Sequence, residues 1–319
     1  MRTSEMNAIS AGMETGRSHA FLMKRIRKMW LLYAMLVPAL ILVALFNYIP
    51  MYGVLIAFKT FRVADGIWGS TWNDFEHFRT LFSTVGFTRA LRNTVIISLL
   101  RLVFGFPMPI LFALLINEMR NGWFKKTVQS ISYLPHFISW VVLAGIVGEI
   151  LSPQRGVLNY LIQLAGGKPI YFLISNDWFR SILIATDIWK DVGWSAIIYI
   201  AALASIDPQL YEAADMDGAS RLRKAWHISI PGIVPMIVIL FLIKIGHVLN
   251  SGFDQIFNLY NPLVYETGDV LDTFIYRIGI LNARYDFSTA VGLFMNAIGI
   301  LLLLGSNMII RRKSEYGIW

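Results

Sequence analysis

The sequence predicts an all-α membrane protein that crosses the bilayer six times, and three observations predict it. First, 56% of its 319 residues are hydrophobic and 15% are charged. A soluble domain carries about 25% charged residues, so too little polar surface is present to cover a water-exposed globule. The mean hydropathy of +0.58 says the same. Second, apolar runs long enough to cross a bilayer recur along the chain. Third, Lys and Arg cluster beside those runs, as expected of cytoplasmic loops. The formal charge of +8 therefore reads as membrane topology and not as a nucleic-acid surface, which would gather its cations on a polar face. The absence of Cys excludes disulfides, thiolate metal sites and cysteine nucleophiles.

Residues 1–29 form a polar cytoplasmic segment ending in Lys24, Arg25, Arg27 and Lys28. The apolar run after it is too long for the h-region of a cleaved signal, which has ~7–15 residues, so it reads as a first span. Leu31 to Phe58 holds no Asp, Glu, Lys or Arg; Pro38 and Pro50 are expected to kink or end the helix, placing the span at about 31–52. The second covers about 93–116, with Arg101 near one end and Pro107 and Pro109 near its middle. A third runs over 127–148 without a charged residue. The fourth, 181–204, is apolar apart from Asp187, Lys190 and Asp191. The fifth, 232–250, contains Lys244 and His247, and the sixth covers 287–310. The membrane-spanning body is thus 30–311, with a tail at 312–319.

Proposed inner segments hold the N-terminal basic cluster, then Arg120, Lys125 and Lys126, then Arg221, Arg223 and Lys224, then Arg311, Arg312 and Lys313. The outer loops, about 53–92, 149–180 and 251–286, are longer and more sparsely basic. Both termini are therefore expected in the cytoplasm. The aromatic residues of the outer loops read mainly as interfacial anchors, with a minority available to a docking partner.

The segment 205–231, between the fourth and fifth spans, is more than a connector. Asp207 followed by Pro208 is a helix start. Leu210, Tyr211, Ala213, Ala214 and Met216 supply an apolar side, and Gly218 offers a C-cap. A second short helix is expected from about Ser220 to His227, with Pro231 opening the fifth span. Together the two would make a rigid knob parallel to the membrane.

Within it stand Glu212-Ala213-Ala214, Gly218 after three residues, and Ile228, Ile230 and Pro231 after nine more. This resembles the EAA loop of bacterial ABC importer permeases, E-A-A, three residues, G, nine residues, I-x-L-P, with Ile230 in place of Leu. Six spans, the basic start and Tyr133-Leu134-Pro135 are similar to the carbohydrate-uptake group, and within it to the LplB-type polysaccharide permeases. The likeness covers most of the chain but not its first 20 or so residues. It implies a subunit of the bacterial inner membrane, paired with a second permease. It also implies an ATPase dimer beneath, binding ATP and Mg, and an extracytoplasmic solute-binding protein above. Glu212, Ala213, Ala214, Asp217, Gly218, Ile228 and Pro231 would then couple to the ATPase.

The residues agree that chemistry lies elsewhere. No G-x-x-x-x-G-K-[ST] phosphate loop, H-E-x-x-H, G-x-S-x-G or Cys/His cluster occurs. No cofactor is expected in this chain, and no metal site.

Charged residues within a span tend to face protein or water. Asp187, Lys190, Asp191 and Trp194 make one helical stripe, in which Lys190 can pair with Asp187 across a turn. That stripe is either a self-neutralising structural pair or part of a solute pathway. His247, Asn250 and Asp254 make a similar stripe with Ser251, one turn beyond Lys244. Sugars need stacking rings, which Trp189, Trp194 and Tyr199 could supply; acidic sugars also need cations, for which Arg101, Lys190 and Lys244 are candidates. An acidic oligosaccharide, such as an alginate- or pectin-derived oligouronide, fits, although Asp187, Asp191 and Asp254 oppose the field. The alternative is an ion-gradient-driven secondary transporter in which Asp187, Lys190, Asp191 and His247 relay protons. Such proteins often carry internal repeats, and none is visible here.

Overall fold

The structure, a computed structural model, describes residues 28–120 and 122–313. The basic cluster Lys24, Arg25 and Arg27, residue Asn121 and residues 314–319 of the C-terminal tail lie outside the described residues. Two compact units are present, Met1–Leu55 and Ile56–Trp319.

The principal helices among the described residues are α1 (Trp30–Phe58), α2 (Phe87–Glu118), α3 (Trp123–Phe137), α4 (Trp140–Leu151) and α5 (Val157–Leu164). They continue with α6 (Asn176–Ala204), α7 (Pro208–Met216), α8 (Arg221–Gly246), α9 (Phe253–Leu259) and α10 (Tyr285–Lys313). A two-stranded antiparallel ribbon, β1 (Lys59–Thr60) and β2 (Thr71–Trp72), follows α1, with Lys59 opposite Trp72. Among the described residues, α1, α2, α8 and α10 are long and apolar enough to cross a membrane, and α3 with α4 would make one more. Helix α6 is equally long, but Asp187, Lys190 and Asp191 interrupt its apolar run.

Prolines shape these helices differently from the sequence expectation. In α1, α2 and α8 the residue just before a proline donates its N–H five residues back: Ile49 to Ala44, Phe106 to Arg101, Ile230 to Ala225. A proline lacks an N–H and clashes with the carbonyl four residues earlier. The widened π turn relieves both problems, so the helix continues. Hence α1 runs to Phe58 and does not end near residue 52. For the same reason α8 starts at Arg221, and the short helix expected over 220–227 is simply its first turns.

The third expected span, 127–148, is not one helix. It breaks between α3 and α4, which are bent by 107°. Pro135 tightens residues Leu134–Phe137 into a 3-10 turn; Ile138 and Ser139 are extended, and the Ser139 hydroxyl accepts the Val142 N–H to start α4. The fifth expected span stops short of 250, because α8 ends at Gly246 and Gly252 takes φ +78 before α9.

Helix α6 is central, packing against α2, α3, α8 and α9. On the α3 side Gly193 lies so close to Ser132 that a Cβ would stand 2.2 Å from its carbonyl oxygen. One buried cluster joins Ala113, Ala196, Tyr199, Leu203 and Ile233. Another gathers Phe172, Phe179, Leu183, Ile256 and Val264 around the start of α6.

Candidate functional site

A cavity of about 500 Å³ opens between α2, α6 and α8. Asp187, Asp191, Trp194 and Tyr199 line it from α6, Gly105 and Phe106 from α2, and Lys244 with His247 from the end of α8. The helical stripe of α6 thus faces a cavity at 187, 191 and 194, as the 3.6-residue period requires.

Lys190 does not join them. It is buried, and its ammonium donates to the carbonyls of Pro135 (3.2 Å), His136 (2.8 Å) and Ile138 (2.5 Å). These lie at the break between α3 and α4, where carbonyls lose helical partners. The expected Lys190–Asp187 pair is replaced by Asp187 with Arg101, 3.7 Å apart. Pairing by spacing along one helix could not foresee a partner arriving from α2.

Sequence reasoning missed His136 altogether. Its Nδ1 lies 2.8 Å from the Asp191 carboxylate, and its ring stacks on Trp194 at 4.6 Å and 5°. The signal was present in the Tyr133-Leu134-Pro135 run, since the residue after a helix-breaking proline is delivered to the break. Trp189 is on another face of α6, in an apolar groove against α4 and α5.

The stripe expected at His247, Asn250, Ser251 and Asp254 is not continuous, because helix geometry ends at Gly246. His247 lines the cavity, and Asn250 is exposed beside it with its amide 3.5 Å from the imidazole. Ser251 is buried, and Asp254 is an exposed residue of α9. The charges in and immediately behind the cavity are two carboxylates, Asp187 and Asp191, against Lys244 and Arg101. The field of the lysines is therefore weaker than the sequence suggests.

Beyond the cavity, residues 251–286 are bound to α2 by buried charge. Asp269, fully buried, accepts from Arg277 at 3.0 and 2.6 Å and from Arg89 at 3.4 Å. Burial alone would lower the Arg277 pKa, but the Asp269 carboxylate outweighs it and holds the guanidinium above its usual value. Burial pushes the Asp272 carboxyl up, opposed by the Ser251 amide and Arg101.

At the other end of α6 the 205–231 loop is built around α7. Asp207 accepts the Gln209 N–H at 2.9 Å, with Pro208 in the first turn. Gly218 adopts φ +67, and the Ala219 N–H returns to the Ala214 carbonyl at 2.9 Å. Glu212, Ala213, Asp217 and Gly218 are exposed, Ala214 and Ile228 half-buried, and Pro231 exposed. Tyr211 reaches Ser229 (2.9 Å) and Lys224 reaches Asp215 (2.7 Å), so α7 is fastened to the first turns of α8.

Residues 105–315 match the family of binding-protein-dependent transport system inner membrane components. The chain belongs to this family of ABC permeases. Protein LplB of Bacillus subtilis strain 168 is 42% identical, covering 92% of this chain and 92% of its own. The polygalacturonan/rhamnogalacturonan transport system permease YteP of the same organism is 43% identical over 90% of each chain. Among solved structures, a bacterial ABC transporter involved in import of the acidic polysaccharide alginate superposes with a TM-score of 0.85. That chain is 46% identical, and the match covers 92% of this permease and 99% of that chain.

Proposed function

We propose that this permease forms one half of the translocation pathway of an ATP-driven importer of acidic oligosaccharides, of the alginate- or pectin-derived oligouronide class. The observation that carries the reading is the extent of the likeness to the alginate importer, nearly end to end at 46% identity. The cavity supports it chemically: Trp194 offers a stacking face and Lys244 a cation beside hydrogen-bonding groups.

In this reading the chain crosses the inner membrane six times, with α6 as the remaining span. Its charges are tolerated because each meets a partner or the cavity. Both termini are cytoplasmic. The loop around α7 presents Glu212, Ala213, Ala214, Asp217, Gly218, Ile228 and Pro231 to an ATPase dimer that binds ATP and Mg. A second permease completes the pathway, and a solute-binding protein delivers the oligosaccharide from outside.

Vesicles holding the whole assembly should take up mannuronate or galacturonate oligomers at least tenfold faster than neutral malto-oligosaccharides. Lys244→Gln should reduce that preference. Equal uptake of neutral and acidic oligomers would overturn the substrate assignment.

A further inference from the structure

Backbone outside a helix that is enclosed in protein needs a partner for every N–H and C=O. The residues between α8 and α9 are such a stretch, and they carry His247 and Asn250 to the cavity. Their most enclosed residue is Ser251, which has no exposed surface. Its N–H donates to the Asp272 carboxylate at 2.9 Å, and its carbonyl accepts from Arg101 Nη1 at 2.5 Å. The backbone of one residue is thus held by an anion at its N–H and a cation at its carbonyl, on the two peptides that flank its Cα. Both bonds are charge-assisted and so stronger than bonds between neutral groups.

We infer that Arg101 and Asp272 are positioning residues for transport: by gripping the Ser251 backbone from both sides of its Cα they fix the broken segment at one end of the cavity. The inference rests on the transport reading above. Gly252 fits this role twice over. It adopts φ +78, and a Cβ there would stand 2.7 Å from Arg101 Nη1, so the guanidinium reaches the carbonyl only past a glycine. The second amino group of Arg101 donates to Gln255 on α9. Gln255 in turn donates to the Leu183 carbonyl and the Thr186 hydroxyl of α6, both at 2.7 Å. The same guanidinium faces the cavity-lining Asp187, while Gly105, one turn along α2, lines the cavity itself. The grip therefore ties α2, α6 and α9 to the segment that aims His247 and Asn250.

The assembled transporter tests this, and the absence of native Cys makes it direct. With Asn250→Cys as reporter, Arg101→Gln should raise the rate of labelling by a water-soluble thiol reagent at least fivefold. It should also raise the KM for oligosaccharide uptake more than it lowers the maximum rate. Arg101→Lys, which keeps one cation for the Ser251 carbonyl, should return labelling toward the parent. Labelling unchanged by Arg101→Gln, or a fall in maximum rate at unchanged KM, would overturn the inference. Should Arg101→Gln fail to assemble, Asp272→Ala reads the same grip from its other end: raised labelling supports it and parental labelling sinks it. Labelling needs no solute. A complex that imports no acidic oligosaccharide but still shows the labelling change therefore defeats the transport reading alone.

Discussion

Three backbone carbonyls converge on the ammonium of Lys190, and an ammonium has three N–H groups to give. Trp140 lies beside the same charge, its ring 5.5 Å from Nζ. The lysine therefore stabilises a helix break, and its loss leaves carbonyls without partners in a water-poor setting. Hydrogen bonds to charged groups contribute ~1.5–3 kcal/mol each, so Lys190→Met should destabilise the solubilised protein by about 3 kcal/mol or more. A thermal or denaturant melt in detergent measures this. Asp187→Asn should give no rescue, because the partner of Asp187 is Arg101; restoration by the double change would disprove this assignment. That Asp187, Asp191 and Trp194 share one face of α6 was legible from helical spacing, but that this face lines a cavity without Lys190 was not. The partners of these residues were not, since Arg101 and His136 arrive from helices distant in sequence.

At the scale of elements, the long apolar helices α1, α2, α8 and α10 were legible from hydropathy, because a bilayer imposes length and composition together. Their ends were harder to read. Pro50 was expected to end a helix and Pro231 to open one, with Pro107 inside a span, yet each is absorbed by a π turn ending two residues earlier. Pro135 has no such turn before it and breaks its helix. Sequence shows the proline in every case but not the hydrogen-bond shift that tolerates it. The α7 loop was more legible, since Asp207-Pro208 and Gly218 are local signals with local causes. Gly218 has open space where a Cβ would go, so only its backbone conformation resists substitution. A β-branched residue at φ +67 costs ~1–2 kcal/mol locally, too little to prevent insertion. Gly218→Val and Glu212→Lys should each leave the chain inserted but at least halve transport per ATP hydrolysed. Uptake and ATPase measured in the same vesicles give that ratio, and a parental ratio in Gly218→Val would exclude a coupling role.

For the whole molecule, orientation is the property most open to direct measurement. In intact cells a Cys introduced at Lys224 should resist an impermeant thiol reagent, while one at Gly167 should react; the reverse pattern would invert the topology. Fold class and family were legible because lipid and the Glu212–Pro231 spacing constrain the sequence strongly. The packing of α3 against α6 was not, because it depends on a single missing side chain at Gly193. The 107° bend has a mechanical consequence. Helix α4 is an arm of 12 residues, ~18 Å long, that begins at the bend where Ser139 caps it. Its far end is lashed to the next loop by Asn159, whose amide donates to the carbonyls of Leu151, Ser152 and Ile170. By the length of that arm, a swing of about ten degrees at the bend would carry Leu151 by about 3 Å. The lashed loop would travel with it, so a small rotation at the bend becomes a displacement at the far end of α4.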